Sequence, residues 1–186
     1  METEARVNKL IAGGDMRGAA TVAITELGPR VLQYLRSLLR NEDDAAEAFS
    51  LFAEKLWRAI DSFERRASLR AWALRIAWNA ALDIRSEAFR RRARPLLTSE
   101  ASRLAAEVAT TTVERRQQVL DELRASLTVE EQSLLVLRID QRLSWAEIAQ
   151  VVSGEEPAIT EAMLRKRFER LKAHLARLAR ERGLVG

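Results

Sequence analysis

The chain has 186 residues, of which 47% are hydrophobic, and a formal net charge of +4. This length suits one ordinary domain or two small ones, and we favour two. Because the chain has no cysteine and a single histidine, disulfides and thiolate metal sites are excluded and little remains for zinc or imidazole catalysis. We therefore expect no metal, no cofactor and no enzymatic activity.

The composition also indicates the fold class and the compartment. With only 7 Gly and 3 Pro, and almost no runs of β-branched residues, the sequence predicts an all-α protein. No apolar run approaches the roughly 18 residues of a membrane span, and the first residues lack the apolar core of a signal peptide. We expect a cytoplasmic protein that has no membrane partner.

Helix start and stop signals define the first elements. A helix over residues 4–12 is closed by Gly13 and Gly14, and Asp15 can cap the segment 16–40. Gly28 and Pro29 are expected to interrupt that segment. Asn41 is the expected N-cap of the next helix, whose first turn is acidic and complements the helix dipole.

This acidic helix exposes apolar side chains at three- and four-residue spacing, so it must pack against another element. Those side chains are Phe49, Phe52, Leu56 and Ile60. The charged loop 61–67 follows, with Phe63 as its expected anchor. The acids at the start of the helix, Asp43, Asp44 and Glu47, are explained equally well by capping and by partner binding.

Residues 68–94 are the most informative segment. Ser68 can cap a helix whose apolar side is formed by Leu69, Trp72, Ala73, Ile76, Ala77 and Ala80. Arg75, Asn79 and Asp83 recur at every fourth position and form a polar stripe on another side. The helix then runs into Arg90, Arg91, Arg92 and Arg94. Such an element suits a nucleic-acid strand, because arginines meet phosphates and an amide meets base edges.

Simpler explanations exist for parts of this pattern. Tryptophans at helical spacing are usually core residues, which would account for Trp57 and Trp72. The arginine cluster could be a solvated helix end that complements the dipole. Asn79 differs, because a mid-helix asparagine costs helix propensity without local gain, and this favours a functional role.

The second half predicts a tether and a compact module. Small residues and a threonine tract over residues 95–112 are typical of a linker. Thr128 with Glu131, and Ser144 with Glu147, each fit a capping box. The short helix after Ser144, a turn and a basic helix over 160–182 predict a helix-turn-helix. In the basic helix Leu164, Phe168, Leu171 and Leu175 face inward, and Arg165, Lys166, Arg167, Arg170 and Lys172 face outward.

Together these patterns resemble the extracytoplasmic-function sigma factors, the smallest initiation factors of bacterial RNA polymerase. The family's promoter-melting stretch resembles FERRASLRAWALRIAWNAALD, with Phe63, Trp72, Arg75, Ile76, Ala77, Asn79 and Asp83 aligned. The family's helix-turn-helix resembles LTVEEQSLLVLRIDQRLSWAEIAQVV followed by MLRKRFERLK. The resemblance implies two all-α domains, 1–94 and 113–186, joined by the linker 95–112, the second being the helix-turn-helix.

The resemblance also implies partners and site residues. The −10 element would be read as a single strand, with one base turned out of the stack, by Arg75, Asn79, Asp83, Arg85, Arg90, Arg91 and Arg92. The −35 duplex would be bound by Arg165, Lys166, Arg167, Arg170 and Lys172. Core RNA polymerase would be bound by the acidic helix through Asp43, Asp44, Glu47, Phe49 and Trp57. The family has no catalytic residues, and many members are held silent by an anti-sigma factor.

Three positions depart from the family pattern. Ser50 and Leu51 stand where a Gln-acid pair is usual, so phosphorylation of Ser50 would restore a negative charge. The turn over 153–162 is about five residues longer than usual, and Met163 replaces a polar residue at the start of the basic helix. Two other functions fit the composition: a dimeric helix-turn-helix regulator of duplex DNA, and a helical adaptor without a nucleic-acid role. The single-strand apparatus around Asn79 and the two basic patches favour the sigma factor.

Overall fold

The computed structural model describes residues 2–39, 41–64, 66–92, 123, 126–153 and 159–181, and the side chains of 88–92 lie outside this description. The described residues form α-helices and one 3-10 turn, and no strand occurs among them, which confirms the predicted all-α class. The elements are α1 (Glu2–Ala12), α2 (Met16–Leu39), α3 (Glu42–Ala59), the turn (Ile60–Ser62), α4 (Leu69–Arg92), α5 (Val129–Ile139), α6 (Trp145–Val152) and α7 (Glu161–Glu181). The linker predicted over 95–112 lies outside the described residues.

The glycine turn between α1 and α2 forms as predicted. Gly14 has a φ of 79°, a conformation that a side chain would disfavour. The Asp15 carboxylate then accepts a hydrogen bond of 2.8 Å from the Gly18 backbone N–H, which satisfies a free donor in the first turn of α2. These local signals therefore set the start of α2.

The predicted interruption at Gly28 and Pro29 is wrong, because α2 runs continuously through both residues. Pro29 is exposed, so the carbonyl that loses its hydrogen bond lies on the solvent side of the helix. Gly28 is buried, and a Cβ there would lie 3.3 Å from the ring of Phe49 on α3. This glycine serves the close packing of two helices and does not end one.

The acidic helix α3 packs as its spacing predicts. The Asn41 side chain accepts a hydrogen bond of 2.9 Å from the Asp44 backbone N–H and caps the helix. Phe52 and Leu56 are fully buried, and Phe63 anchors the following loop with 6% of its surface exposed. Trp57 does not belong to the core: 44% of it is exposed, so the core interpretation of this residue is wrong.

Helix α4 is buried mainly through small side chains. Ala71, Ala73, Ala77, Ala80 and Ala81 are fully buried where α4 packs against its neighbours, among them α2 and α3. Trp78 is also buried, whereas Trp72 is partly buried against the core. The alanines allow the backbone of α4 to approach the neighbouring helices closely.

The C-terminal helices, α5 to α7, start where the sequence predicts. Thr128 and Ser144 each form a complete capping box, with Glu131 and Glu147 respectively. On α7, Leu164, Phe168 and Leu171 are buried and Leu175 is partly buried, as predicted. The C-terminal helices also contact the N-terminal helices, α1 to α4, since α6 packs on α4 and α5 on α2.

Candidate nucleic-acid interface

The polar stripe of α4 lies on the surface. Arg75, Asn79 and Asp83 are all exposed, and because an α-helix has about 3.6 residues per turn they follow one another along one side of it. The start of the helix is fixed by Ser68, whose hydroxyl accepts a hydrogen bond of 3.2 Å from the Ala71 backbone N–H. A capped and well-packed helix thus positions the stripe.

The members of the stripe differ in their partners. Within the part of the chain that the structure describes, the side chains of Arg75 and Asn79 make no hydrogen bond or ion pair. The Asp83 carboxylate, in contrast, lies 2.6 Å from Nζ of Lys55 on α3. A guanidinium and an amide are therefore available to a ligand, whereas Asp83 already links α4 to α3.

A cavity opens beside the N-terminal half of the stripe. It has a volume of about 280 Å³ and is bounded by the loop before α4, by Trp72 and Arg75, and by Gln150 of α6. The rings of Phe63 and Trp72 lie 5.1 Å apart between centroids and form its aromatic side. Sequence reasoning missed this cavity, because Gln150 is distant in the chain and no local pattern brings it to α4.

The arginines of α4 are described to different extents. Arg85 is exposed, about three turns after the start of the stripe. Arg90, Arg91 and Arg92 occupy the last turn of α4, and their side chains lie outside the described part of the structure. The helical backbone through Arg92 confirms that these residues continue the same element.

Helix α3 presents the predicted acidic surface. Asp43 and Glu47 are exposed, Asp44 is half-buried at the capped end, and Trp57 adds an exposed aromatic side chain. Phe49 instead packs partly against the core, with its ring 5.6 Å from that of Phe52. A charged and partly aromatic surface of this kind suits a protein partner.

Ser50 lies on the exposed side of α3. Its hydroxyl donates a hydrogen bond of 3.0 Å to the Ala46 carbonyl, one turn earlier in the helix. The hydroxyl is therefore at the surface, and the predicted phosphorylation of Ser50 stays a prediction.

All five predicted cations of α7 are exposed, but some are already paired. Arg165 contacts Glu161 at 2.9 Å, and Lys172 contacts Glu169 at 2.9 Å while lying over the ring of Phe168. Among the described residues, Lys166, Arg167 and Arg170 have no ion pair. Arg167 and Arg170 line a groove of about 330 Å³ together with Trp78 of α4.

In the described ranges, no group of three or more His, Cys, Asp or Glu side chains is placed to hold a metal ion. None of the helices there has the length and apolarity that a membrane crossing requires.

Comparison with known proteins gives a match for this surface. Residues 23–95, which include α3 and the whole stripe of α4, match the family model described as sigma-70 region 2. A comparison with curated protein sequences gives no match. The chain is similar in fold to CnrH, solved in complex with the cytosolic domain of CnrY. The TM-score is 0.65 and the identity 22%, over 96% of this chain and 98% of the CnrH chain.

Proposed function

We propose that this chain, whose residues 23–95 match sigma-70 region 2, is an initiation factor of RNA polymerase of the extracytoplasmic-function type. One observation carries the proposal. Inside the segment that matches region 2, the Arg75 guanidinium borders a cavity with an aromatic side, and the Asn79 amide lies one helical turn further along α4; neither side chain has a polar partner among the described residues. Duplex-only regulators have no need of such a surface.

The chemistry of that surface suits a separated DNA strand. Asn79 can form paired hydrogen bonds with a base edge once the base has left the stack, and Arg75 can contact phosphate. The cavity of about 280 Å³ offers the rings of Phe63 and Trp72 to a planar group, and base stacking on aromatic rings is tolerant of sequence. We therefore assign α4 and the preceding loop to the −10 element.

The remaining surfaces fit the other partners of such a factor. The acids of α3 and the exposed Trp57 would bind core RNA polymerase, and phosphorylation of Ser50 would add charge to the same helix. Helices α6 and α7 would act as a helix-turn-helix on the −35 duplex, with Lys166, Arg167 and Arg170 available for phosphates. We place the boundaries of the two domains at 1–94 and 113–186.

A regulatory protein partner is also part of the proposal. CnrH was solved with the cytosolic domain of CnrY bound to it, and this chain is similar to CnrH over nearly its whole length. We infer that an anti-sigma factor binds this chain in the cytoplasm.

Reconstituted transcription tests the proposal directly. The purified chain is added to bacterial core RNA polymerase with genomic DNA fragments of the source organism, and the 5′ ends of the transcripts are mapped. We expect a small set of discrete start sites that share sequence at −10 and −35 and that disappear when the chain is omitted. Transcripts identical to those of core polymerase alone would contradict the proposal.

A further inference from the structure

Helix α7 has two exposed flanks that differ in their charge balance. On one flank the cations are paired within the helix: Arg165 contacts Glu161 at 2.9 Å, and Lys172 contacts Glu169 at 2.9 Å. Residues three or four positions apart lie on the same side of a helix, so these four side chains share one flank. Their positive and negative charges largely cancel there.

The other flank of α7 carries cations without acids. Lys166, Arg167 and Arg170 are exposed and have no ion pair among the described residues. Met163 precedes them at the same three- and four-residue spacing, so all four side chains follow one another along one side of the helix. We call this set the cationic flank. A duplex, with its dense negative charge, is attracted to the cationic flank more strongly than to the paired one.

Met163 is the apolar residue at the start of the cationic flank. Its side chain is 44% exposed, whereas the apolar Leu164 and Phe168 on the inner side of the same helix are buried. The Met163 backbone N–H donates a hydrogen bond of 3.3 Å to the Thr160 hydroxyl, which fixes the residue in the first turn of α7. The side chain is therefore outside the core, well positioned and accessible to a ligand of α7.

The first turn of α7 is where a helix-turn-helix contacts base edges, because the N-terminal end of its second helix enters the major groove. The Met163 side chain has no hydrogen-bond donor and only a weak acceptor, so it cannot read the polar groups of a base. The methyl group that a base pair presents in the major groove belongs to thymine. The flexible and polarizable thioether can adapt its shape to such a group.

We infer that Met163 is a specificity-determining residue, which selects a T·A pair in the −35 element through the thymine methyl group. The inference rests on the proposed function, since it names a base that the proposed −35 surface reads. Lys166, Arg167 and Arg170 would contact phosphates, which orients α7 on the duplex but carries no sequence information. The base preference at this point of the duplex would then come from Met163.

The expected preference is modest, because the contact is small. Removal of one methyl group from an apolar contact corresponds to about a two- to fivefold loss of binding. At the other base pairs Met163 would cover a polar group without offering it a hydrogen bond, which adds to the discrimination.

The first experiment determines the base preference of the −35 surface. Promoter duplexes from the transcription assay, with the −35 element randomised, are selected for binding to the holoenzyme of core polymerase and the full chain, and are then sequenced. The wild type should prefer a T·A pair at one position. Met163→Ala should lose that single preference, and Met163→Leu should keep it. The control Ile139→Ala, which removes a 55% exposed apolar side chain from α5, should change no preference.

The second experiment removes the methyl group alone. Deoxyuridine, which lacks the methyl group but pairs as thymine does, replaces the selected thymine in one duplex. Titrations of the labelled duplexes are carried out with holoenzyme at one salt concentration, since the phosphate contacts depend on salt. The wild type should bind the deoxyuridine duplex about two- to fivefold more weakly, and Met163→Ala should bind the two duplexes equally.

The outcomes separate this inference from the proposed function. A wild type that has no T·A preference in the −35 element, or that binds thymine and deoxyuridine duplexes equally, overturns the inference. A Met163→Ala variant that keeps the full thymine preference overturns it as well. In each of these cases the discrete transcripts of the wild type still support the proposed function. If the wild type gives no specific transcripts, the proposed function falls and the inference falls with it.

Discussion

Replacing Asn79 with alanine should make the protein more stable and less active at the same time. The Asn79 side chain is exposed in the middle of α4 and makes no hydrogen bond to the described residues, so folding loses no contact. Alanine has the higher helix propensity, by up to about 0.7 kcal/mol. For a chain of this length that gain raises the melting temperature by roughly 1–3 °C.

The effect on promoter opening should have the opposite sign and be larger. A paired amide–base contact contributes about 1–3 kcal/mol of discrimination, which corresponds to about a 5- to 150-fold loss of open complex. Thermal unfolding followed by circular dichroism measures the first effect. Permanganate reactivity of promoter thymines, with core polymerase present, measures the second.

The matched control is Gln33→Ala, which removes an exposed amide from the middle of α2. It should leave promoter opening unchanged within a factor of two or so, since α2 carries no proposed DNA contact. Normal opening by Asn79→Ala would show that this amide does not read a base. If the melting temperature and promoter opening fell together, Asn79 would act by stabilising the folded protein and not by contacting a base.

Three other perturbations test separate parts of the structure. Glu47→Lys should weaken binding to core polymerase several-fold, and the loss should be smaller at high salt. The control Gln33→Lys should leave binding unchanged. Equal binding by both variants, in a titration of labelled protein, would show that α3 is not part of the interface. Thr128→Ala breaks the capping box of α5 and should lower the free energy of unfolding by about 0.5–2 kcal/mol in urea, while Thr128→Ser should retain most of it. Partial burial raises the pKa of Glu147, but hydrogen bonds from Ser144 and Ser68 and the charge of Arg70 outweigh it, so the folded pKa lies below the ordinary 4.5. Its contribution to stability is therefore present above pH 4.5 and lost as the pH falls through the folded pKa, so the advantage of the wild type over Glu147→Gln in thermal unfolding should shrink in acid.

Features that depend on neighbours in the chain could be predicted from the sequence. Asn41, Thr128 and Ser144 cap their helices as the spacing of acceptor and acid indicates, because a cap and its donors lie within one turn. The buried positions of α4 and α7 follow from helical periodicity in the same way. The same periodicity predicts the polar stripe of α4.

Features that depend on residues distant in the chain could not be predicted from the sequence. A proline usually ends a helix, but α2 accepts Pro29 because tertiary packing offsets one missing hydrogen bond on its exposed side. The pairing of Asp83 with Lys55 arises only when α3 and α4 come together, so the sequence, which groups Asp83 with Asn79, does not show it. Gln150 reaches the cavity beside Arg75 for the same reason. Periodicity shows which side of a helix is exposed but not which residues meet there.

The buried, alanine-rich side of α4 packs against the neighbouring helices, whereas its exposed side carries the polar stripe. Ala73, Ala77 and Ala80 fix how near the backbone lies to its neighbours, and a larger side chain at any of them would push the whole helix outward. Arg75 and Asn79 lie on the exposed side, away from that packing. Under the proposed function, promoter preference can thus diverge between related chains by exchange of the outward residues alone, while the scaffold that orients them stays the same.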